Sequence, residues 1–183
     1  MPERIASPHP DRALRVVVLS DTHAPRRWKR CPPAVADHLR GADLVLHAGD
    51  VCTASVLEEL AAYAPVRAVL GNNDGPDVAA WGAPETLELD LDGLRVGMIH
   101  DSGPAAGRLR RLRARFGGCH LVVFGHSHIP MAFQEAGTWF VNPGSPTWKR
   151  RQPTPTMAEV ALERGVVSPR VIPVPLTSRR VAR

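Results

Sequence analysis

The segment 124–130, FGHSHIP, places His126 and His128 two residues apart, directly after an apolar run. Asp21 and His23 have the same spacing at the end of another apolar run. In an extended chain, residues i and i+2 point to the same side of the backbone. Each pair can therefore present two metal-binding side chains to one pocket, although a single pair of this kind recurs by chance.

Five apolar runs end on residue types that bind metal ions. The runs are RVVVLSDTH (15–23), DLVLHAGDV (43–51), VRAVLGNND (66–74), LRVGMIHDSG (94–103) and HLVVFGHSH (120–128). The candidate ligands at their ends are Asp21 and His23, then Asp50, then Asn72, then His100, and finally His126 and His128. In α/β proteins, ligands bind beyond the carboxyl ends of the strands. We therefore expect these side chains to converge on one site, because chance poorly explains five such endings in succession.

The elements that must position these residues follow from the apolar pattern. The runs consist mainly of Val, Leu and Ile, which is typical of central strands covered on both faces. Turn signals at Asp92-Gly93, at Gly137 and at Arg164-Gly165 predict hairpins. The last two hairpins predict a more antiparallel, mixed sheet in the carboxyl-terminal third.

Two helices are predicted between the runs. Ser55 and Glu58 form a capping box that opens VLEELAAY, and Pro65 ends this helix. A second helix is predicted over about 105–116, with one apolar stripe and an arginine-rich remainder that we expect to be solvated. The alternation of runs and helices predicts a layered α/β fold.

A chain of 183 residues fits one domain of ordinary size. We expect a flexible leader over residues 1–13, the domain over 14–176 and a basic tail over 177–183. No apolar run is long enough to span a bilayer, and the charged start lacks the apolar stretch of a signal peptide. These features predict a cytoplasmic protein without a membrane partner. Three scattered cysteines predict neither a disulfide framework nor a thiolate zinc site.

The net charge of +5 raises the question of a nucleic-acid partner, because basic surfaces neutralise phosphates. Only Lys29 and Lys149 among the 23 basic residues are lysines, however. Such an arginine-rich composition can reflect a GC-rich genome instead. A nucleic-acid partner is therefore not favoured, and homo-oligomerisation stays an open question.

The ordered motifs D-x-H (21–23), G-D (49–50), G-N-x-D (71–74), a strand-end His100 and G-H-x-H (125–128) resemble those of the calcineurin-like metallophosphoesterases. The short length and NPGSPT (142–147) are most similar to the small phosphodiesterases of the YfcE type. The resemblance covers about residues 15–175. It implies an α/β fold with mixed α+β sheets, arranged as a four-layer α-β-β-α sandwich in a single domain.

The resemblance also implies two divalent metal ions at one edge of the sandwich. Asp21, His23 and His128 would hold the first ion, Asn72, His100 and His126 would hold the second, and Asp50 would bridge them. Such a mixed nitrogen and oxygen ligand set suits manganese, which we favour, or iron, cobalt, nickel or zinc. The implied reaction is attack of a metal-bridging hydroxide on a small phosphate ester, most readily a phosphodiester.

Further roles are expected close to these ligands. Asp50, Asn73, Asp74 and His100 are the candidate catalytic residues. Many family members have a histidine where this chain has Asn73, and asparagine cannot supply a proton to a leaving group at neutral pH. We therefore expect aryl diesters to be cleaved more readily than alkyl diesters. Asp74 is expected to orient either the loop or a residue that contacts a metal ligand.

Two arginine clusters lie near the predicted site. Arg26 and Arg27 are candidate substrate-binding residues, because a guanidinium can bind a phosphate through two parallel hydrogen bonds. Lys149, Arg150 and Arg151 form a second cluster after NPGSPT. Either cluster could instead be solvated loop charge, and Asp101 could add a carboxylate to the site or turn the chain.

Two other functions compete with the enzymatic interpretation. A retromer subunit related to this family uses the same fold mainly as a protein-docking scaffold, but such scaffolds usually lose ligand residues, and here all seven positions are filled. A nuclease or other nucleic-acid-processing enzyme is the third alternative.

Overall fold

The computed structural model describes residues 2–9 and 11–175. Its strands are β1 Glu3–Ile5, β2 Leu14–Leu19, β3 Leu44–His47, β4 Val66–Ala68, β5 Thr86–Leu91, β6 Leu94–Ile99, β7 Leu121–Val123, β8 Met131–Glu135, β9 Thr138–Asn142, β10 Thr156–Glu163 and β11 Val166–Pro173. Its helices are α1 Pro33–Leu39, α2 Ala54–Ala61, α3 Pro76–Trp81 and α4 Arg108–Arg115. The five predicted apolar runs each contain one strand, namely β2, β3, β4, β6 and β7.

The strands form two mixed sheets. One has the order β11-β10-β2-β3-β4, and its β2, β3 and β4 are parallel. The other has the order β1-β5-β6-β7-β9-β8, and its β6, β7 and β9 are parallel. The carboxyl ends of parallel neighbours lie at the same edge of a sheet, so each sheet gathers its strand-end residues at one edge.

Alternating side chains of β2 show how the layers are built. Val16 and Val18 pack into the core between the two sheets, against residues such as Val96 of β6. Val17 and Leu19 point to the other face, where they pack against apolar residues of α1, α2 and α3. Helix α4 covers the outer face of the second sheet through a separate apolar cluster. The predicted four-layer α-β-β-α sandwich is therefore confirmed.

All three predicted hairpins form. Leu91 pairs with Leu94 around Asp92-Gly93, and the turns at Gly137 and at Arg164-Gly165 join β8 to β9 and β10 to β11. Asp92 and Gly93 both have a positive φ, of 55° and 84°, which a two-residue hairpin of this kind requires.

The predicted capping box of α2 is wrong. The helix begins at Ala54 after Thr53, which makes no side-chain capping bond, so that Ser55 lies inside the first turn. The N–H of Ala54 instead donates to Asp77 Oδ2 at 2.8 Å. A carboxylate from another part of the chain thus does what the local motif predicts for Ser55, and no local pattern reveals this contact.

Helix α4 is shorter than predicted, and its arginine-rich side is only partly solvated. Arg108 packs its guanidinium carbon 5.4 Å from the ring centre of Phe124. Arg111 Nε donates to Ser102 O at 3.2 Å and thereby ties the preceding loop to the helix.

Part of the expected flexible leader, residues 1–13, forms a strand. Glu3–Ile5 forms β1, which pairs in parallel with β5 at what would otherwise be the edge of the sheet. Glu3 also accepts a hydrogen bond from Arg67 Nε at 2.9 Å. An edge strand with unpaired backbone groups readily takes up such a segment. The predicted basic tail lies outside the described residues, and no helix within those residues has the length and apolarity that crossing a bilayer would require.

Candidate metal centre

The structure brings the seven predicted ligands together at the edge where β2, β3, β4, β6 and β7 end. The set comprises Asp21 and His23 after β2, Asp50 after β3, Asn72 after β4, His100 after β6, and His126 and His128 after β7. They fall into two adjacent groups, and each group combines residues from both sheets. The distances between their potential ligand atoms decide whether these groups could hold a pair of metal ions.

The first group consists of Asp21, His23 and His128. Asp21 Oδ1 lies 3.1 Å from His128 Nε2 and 3.8 Å from His23 Nε2. The two imidazole rings are stacked at 17° with their centres 5.2 Å apart, and their Nε2 atoms are 3.2 Å apart. Three potential ligand atoms therefore face one point.

The second group is centred on Asn72. Its Oδ1 lies 3.1 Å from His100 Nε2 and 2.8 Å from His126 Nδ1. Asp50 lies between the two groups, because its Oδ1 is 3.4 Å from His100 Nε2 and its Oδ2 is 3.7 Å from His23 Nε2. A single carboxylate thus faces both groups with different oxygens.

The hydrogen bonds of two histidines favour metal binding through Nε2. His128 Nδ1 lies 2.8 Å from Trp148 O, and His100 Nδ1 lies 2.7 Å from Ala48 O. A carbonyl oxygen can only accept, so each Nδ1 carries the proton and each Nε2 is left with a lone pair in the neutral ring. Such outer partners orient metal-binding histidines in many proteins.

The buried polar atoms of the first group fit a cation. Asp21 Oδ1 is buried and accepts no hydrogen bond of good geometry, although His128 Nε2 is close. A bound cation would satisfy this oxygen, since an unpaired buried polar atom costs about 1–3 kcal/mol. The donor set is therefore compatible with a divalent metal ion.

Two glycines allow the ligand loops to approach closely. A Cβ on Gly125 would overlap Ser20 Oγ and lie 2.9 Å from Ala48 O. A Cβ on Gly71 would overlap the backbone nitrogen of Asp50 and lie 2.9 Å from its Cα. The glycines of G-H-x-H and G-N-x-D are thus needed because no side chain fits where these loops meet their neighbours.

Asn73 and Asp74 hold other parts of the site. Asn73 donates from its backbone nitrogen to Asp50 Oδ1 at 2.9 Å and from Nδ2 to Asp50 Oδ2 at 2.7 Å. Asp74 accepts backbone N–H bonds from Asp50 at 3.0 Å, from Cys52 at 2.6 Å and from Gly71 at 2.7 Å. The carboxylate of Asp74 is thus directed at the loop backbone, as expected for a residue that orients the loop.

Burial and neighbouring charges shift the titration of the site. Burial alone would raise the pKa of Asp50, but the hydrogen bond and charge of His100 and the N–H donors of Asn73 hold that pKa well below its usual range. Burial would lower the pKa of His100, yet Asp50 and Asp21 raise it above its ordinary value. Burial lowers the pKa of His47 to about 3. Asp50 is thus ionised at neutral pH and can hold a cation.

The predicted arginines lie beside the first group. A cavity of about 300 Å³ is lined by His23, Arg26, Arg27, Asn73, Trp148 and Arg150. Arg26 and Arg27 therefore face the same space as His23. Asp101, in contrast, is exposed and accepts the N–H of Gly103 at 2.7 Å, so it turns the chain.

The residues of NPGSPT anchor the ligand loops, a role that the sequence did not reveal. Asn142 Nδ2 donates to Gly125 O at 2.8 Å, and Ser145 Oγ donates to Asp21 O at 2.8 Å. Ser20 was also missed, and its Oγ donates to Asp21 Oδ2 at 2.7 Å. The resemblance pointed to the segment 142–147 but not to any residue's task within it.

Comparisons with known proteins identify relatives of this chain. Residues 14–165 match the model of the calcineurin-like phosphoesterase superfamily domain. A probable metallophosphoesterase of Methanothermobacter thermautotrophicus is 37% identical over 142 residues, which are 75% of this chain and 80% of that protein.

Two solved structures share the fold. Vacuolar protein sorting 29 from Cryptosporidium parvum superposes with a TM-score of 0.71 at 23% identity, covering 88% of this chain and 98% of that chain. An archaeal phosphodiesterase superposes with a TM-score of 0.67 at 20% identity, covering 86% of this chain and 99% of that chain. At these identities the likeness concerns the fold alone.

Proposed function

Because the chain belongs to the calcineurin-like phosphoesterase superfamily, we propose that it is a phosphodiesterase with a dinuclear metal centre. The family is metal-dependent and acts on phosphate esters, and the ligand positions of this chain are filled. Asp21, His23 and His128 would hold one ion, and Asn72, His100 and His126 would hold the other. When bound, two divalent ions would supply Lewis acidity to the phosphoryl oxygens and lower the pKa of bound water.

The position of Asp50 carries the dinuclear proposal. Its Oδ2 faces His23 of the first group and its Oδ1 faces His100 of the second. Two N–H donors of Asn73 fix the carboxylate in this orientation. A carboxylate held between two sets of ligands is what a bridging role requires. We favour manganese, since nitrogen and oxygen donors without thiolate suit it.

The hydrogen bonds of Asn73 bear on the leaving group. Its Nδ2 donates to Asp50 Oδ2, and an amide has no proton to give at neutral pH. The leaving oxygen must therefore depart without a proton from this position. A phenolate with electron-withdrawing groups can do so and an alkoxide does so poorly, so we expect aryl diesters to react faster than alkyl diesters.

Among phosphate esters, diesters are the proposed substrates. One structural neighbour is an archaeal phosphodiesterase, and the resemblance to YfcE-type enzymes points the same way. A panel of bis(p-nitrophenyl) phosphate, p-nitrophenyl phosphate, an alkyl diester and an oligonucleotide would rank the four substrate classes directly. The oligonucleotide also tests the nuclease alternative.

The experiment uses the full chain after chelation, with and without added Mn²⁺. We expect no turnover in chelator, turnover of bis(p-nitrophenyl) phosphate with Mn²⁺, and loss of that turnover in Asp50→Asn. Asp92→Asn is the matched control, because Asp92 is exposed at the end of β6 opposite to His100 and has a positive φ that asparagine tolerates. Full activity in chelator, or in Asp50→Asn, would refute the mechanism.

A protein-docking scaffold is the second candidate, because vacuolar protein sorting 29 has the same fold. The filled ligand set argues against it. If the metal-loaded chain bound two ions per molecule and hydrolysed none of the four substrates, the scaffold would become the better explanation.

A further inference from the structure

The cavity beside His23 is cationic. Its lining includes Arg26, Arg27 and Arg150, together with His23, Asn73 and Trp148, and no carboxylate of the described chain contributes to it. Within residues 2–9 and 11–175, none of these three arginines forms an ion pair. Three uncompensated guanidinium groups around one cavity favour an anionic occupant.

Trp148 orders two of the three arginines. The guanidinium carbon of Arg27 lies 4.6 Å from the indole ring centre, and that of Arg150 lies 4.9 Å from it. A guanidinium stacked on an indole keeps its N–H groups free at its edge, where they can bind an oxyanion in pairs. The same stacking occupies the indole surface on which a nucleobase would have to stack. The arrangement therefore suits a phosphate better than a nucleobase.

The cavity lies next to the metal ligands. His23 lines it and reaches the first group, where its Nε2 is 3.2 Å from His128 Nε2. Asn73 lines it as well and donates to Asp50. Ligand pockets usually measure about 300–1,000 Å³, so a cavity of about 300 Å³ accepts a small group rather than an entire large ligand. A substituent of the reacting phosphate can therefore reach it.

A second cavity, of about 490 Å³, adjoins Asn72 and His100 on the other side of the centre. It is lined by Glu85 and Asp101 as well as by Arg115. Two carboxylates beside one guanidinium oppose the binding of an anion. An anionic substituent would therefore enter the cavity of Arg27 and Arg150 in preference to this one.

We propose that the cavity formed by Arg26, Arg27, Trp148 and Arg150 binds a second phosphate of the substrate. The substrates are then phosphodiesters that carry a further phosphate close to the phosphorus that is attacked. This inference rests on the proposed phosphodiesterase function and names its substrate class. Arg27 and Arg150 bind the second phosphate and determine specificity.

Two matched chromogenic substrates test the proposal with the Mn²⁺-loaded full chain. One is the p-nitrophenyl ester of a nucleoside monophosphate, and the other carries an additional phosphate on the free sugar hydroxyl. We expect kcat/KM to be at least about tenfold higher for the substrate with the second phosphate, mainly through a lower KM, because one charge-assisted contact corresponds to about this factor. The ratio of the two kcat/KM values should fall toward one in Arg27→Ala and in Arg150→Ala.

Arg30→Ala is the matched control, since Arg30 is exposed in the same loop and does not line the cavity. It should keep the full ratio. A ratio of one in the unaltered chain would overturn the proposal. So would an equal loss for both substrates in Arg150→Ala, because the arginine would then bind the reacting phosphate itself.

Calorimetry separates this inference from the proposed function. The metal-free chain is titrated with a nucleoside bisphosphate and with the corresponding monophosphate, and the bisphosphate should bind at least about tenfold more tightly. If neither chromogenic substrate is hydrolysed but the bisphosphate keeps this advantage, the phosphodiesterase proposal fails and the anion site stands. Equal affinity for the two nucleotides would overturn the anion site, whatever the activity.

Discussion

Replacing Asp74 with asparagine should loosen the loops that carry Asp50 and Asn72. The carboxylate accepts backbone N–H bonds from Asp50 at 3.0 Å, from Cys52 at 2.6 Å and from Gly71 at 2.7 Å. Asparagine has the same shape but offers one acceptor oxygen where aspartate offers two. Its NH₂ group would therefore face at least one backbone N–H.

The expected loss of stability can be estimated from these bonds. A hydrogen bond to a charged group contributes about 1.5–3 kcal/mol, roughly twice the contribution of a neutral bond. The variant loses one such bond and weakens two others, so its free energy of unfolding should fall by about 3–5 kcal/mol. Asp77→Asn is the matched control, because exposed Asp77 accepts a single backbone N–H bond, from Ala54 at 2.8 Å.

Urea unfolding of the full chain in chelator measures the difference without a contribution from metal binding. With an m value of about 2–3 kcal/mol/M, the midpoint of Asp74→Asn should fall by at least about 1 M, and that of Asp77→Asn by less than about 0.5 M. The unfolding slope should stay the same in both. Equal midpoints for the two variants would show that the three backbone bonds do not hold the loops as described.

Three further predictions concern the rest of the molecule. Gly125→Ala should lower the free energy of unfolding in urea by about 1–3 kcal/mol, because the new Cβ would overlap Ser20 Oγ. Gly117→Ala is its control and should change the free energy of unfolding little, because a Cβ there would lie 3.5 Å from its nearest neighbour. Similar urea midpoints for the two variants would contradict this prediction. Glu59→Ala should lower the free energy of unfolding by about 2–4 kcal/mol, since the carboxylate accepts an indole N–H at 2.7 Å and a backbone N–H at 2.8 Å. Glu58→Ala, at an exposed neighbouring position, is its control, and an equal loss in both would count against the contact. Mn²⁺ at about a hundred times its Kd should stabilise the metal-free chain by about 2.7 kcal/mol for each ion bound, and a Tm that does not change with Mn²⁺ would speak against a metal centre.

The convergence of the ligands could be predicted because it follows from strand order. Apolar runs that end on Asp21, Asp50 and His100 are visible in the sequence, and parallel neighbours place such ends at one edge. The hairpin at Asp92-Gly93 could be predicted for a local reason, since few residue pairs adopt two positive φ values. Both predictions depend on short-range patterns or on a general rule of sheets.

The remaining features depend on contacts between distant parts of the chain. Asp77 caps α2 from more than twenty residues away, and the predicted local capping box does not form. Trp148 places its carbonyl on His128 and its ring beside Arg27. The sequence gives no signal for Ser20, because its contact with Gly125 forms only in the folded chain. No periodicity encodes such pairs, because each partner is specified only by the packing of the two sheets.

Backbone strain at the site shows how far the ligand geometry depends on this packing. Asp21, His23, Asp50, His126 and His128 all have a positive φ, between 52° and 67°. A left-handed conformation costs an L-residue about 1–2 kcal/mol. Over five residues the cost is about 5–10 kcal/mol, as large as the net stability of a typical domain. The isolated loops would therefore not adopt these conformations.

Backbone hydrogen bonds between the loops offset part of this strain. The N–H of Asp21 donates to Gly49 O at 2.9 Å, and the N–H of His23 donates to Asp50 O at 3.0 Å. These bonds continue the parallel pairing of β2 with β3 beyond the ends of the strands. Each loop is thus held in its strained form by the loop of the neighbouring strand, and the ligand positions are a property of the sheet edge as a whole. It follows that the loops of D-x-H and G-D keep Asp21, His23 and Asp50 in place together, since the backbone bonds of each loop are made to the other.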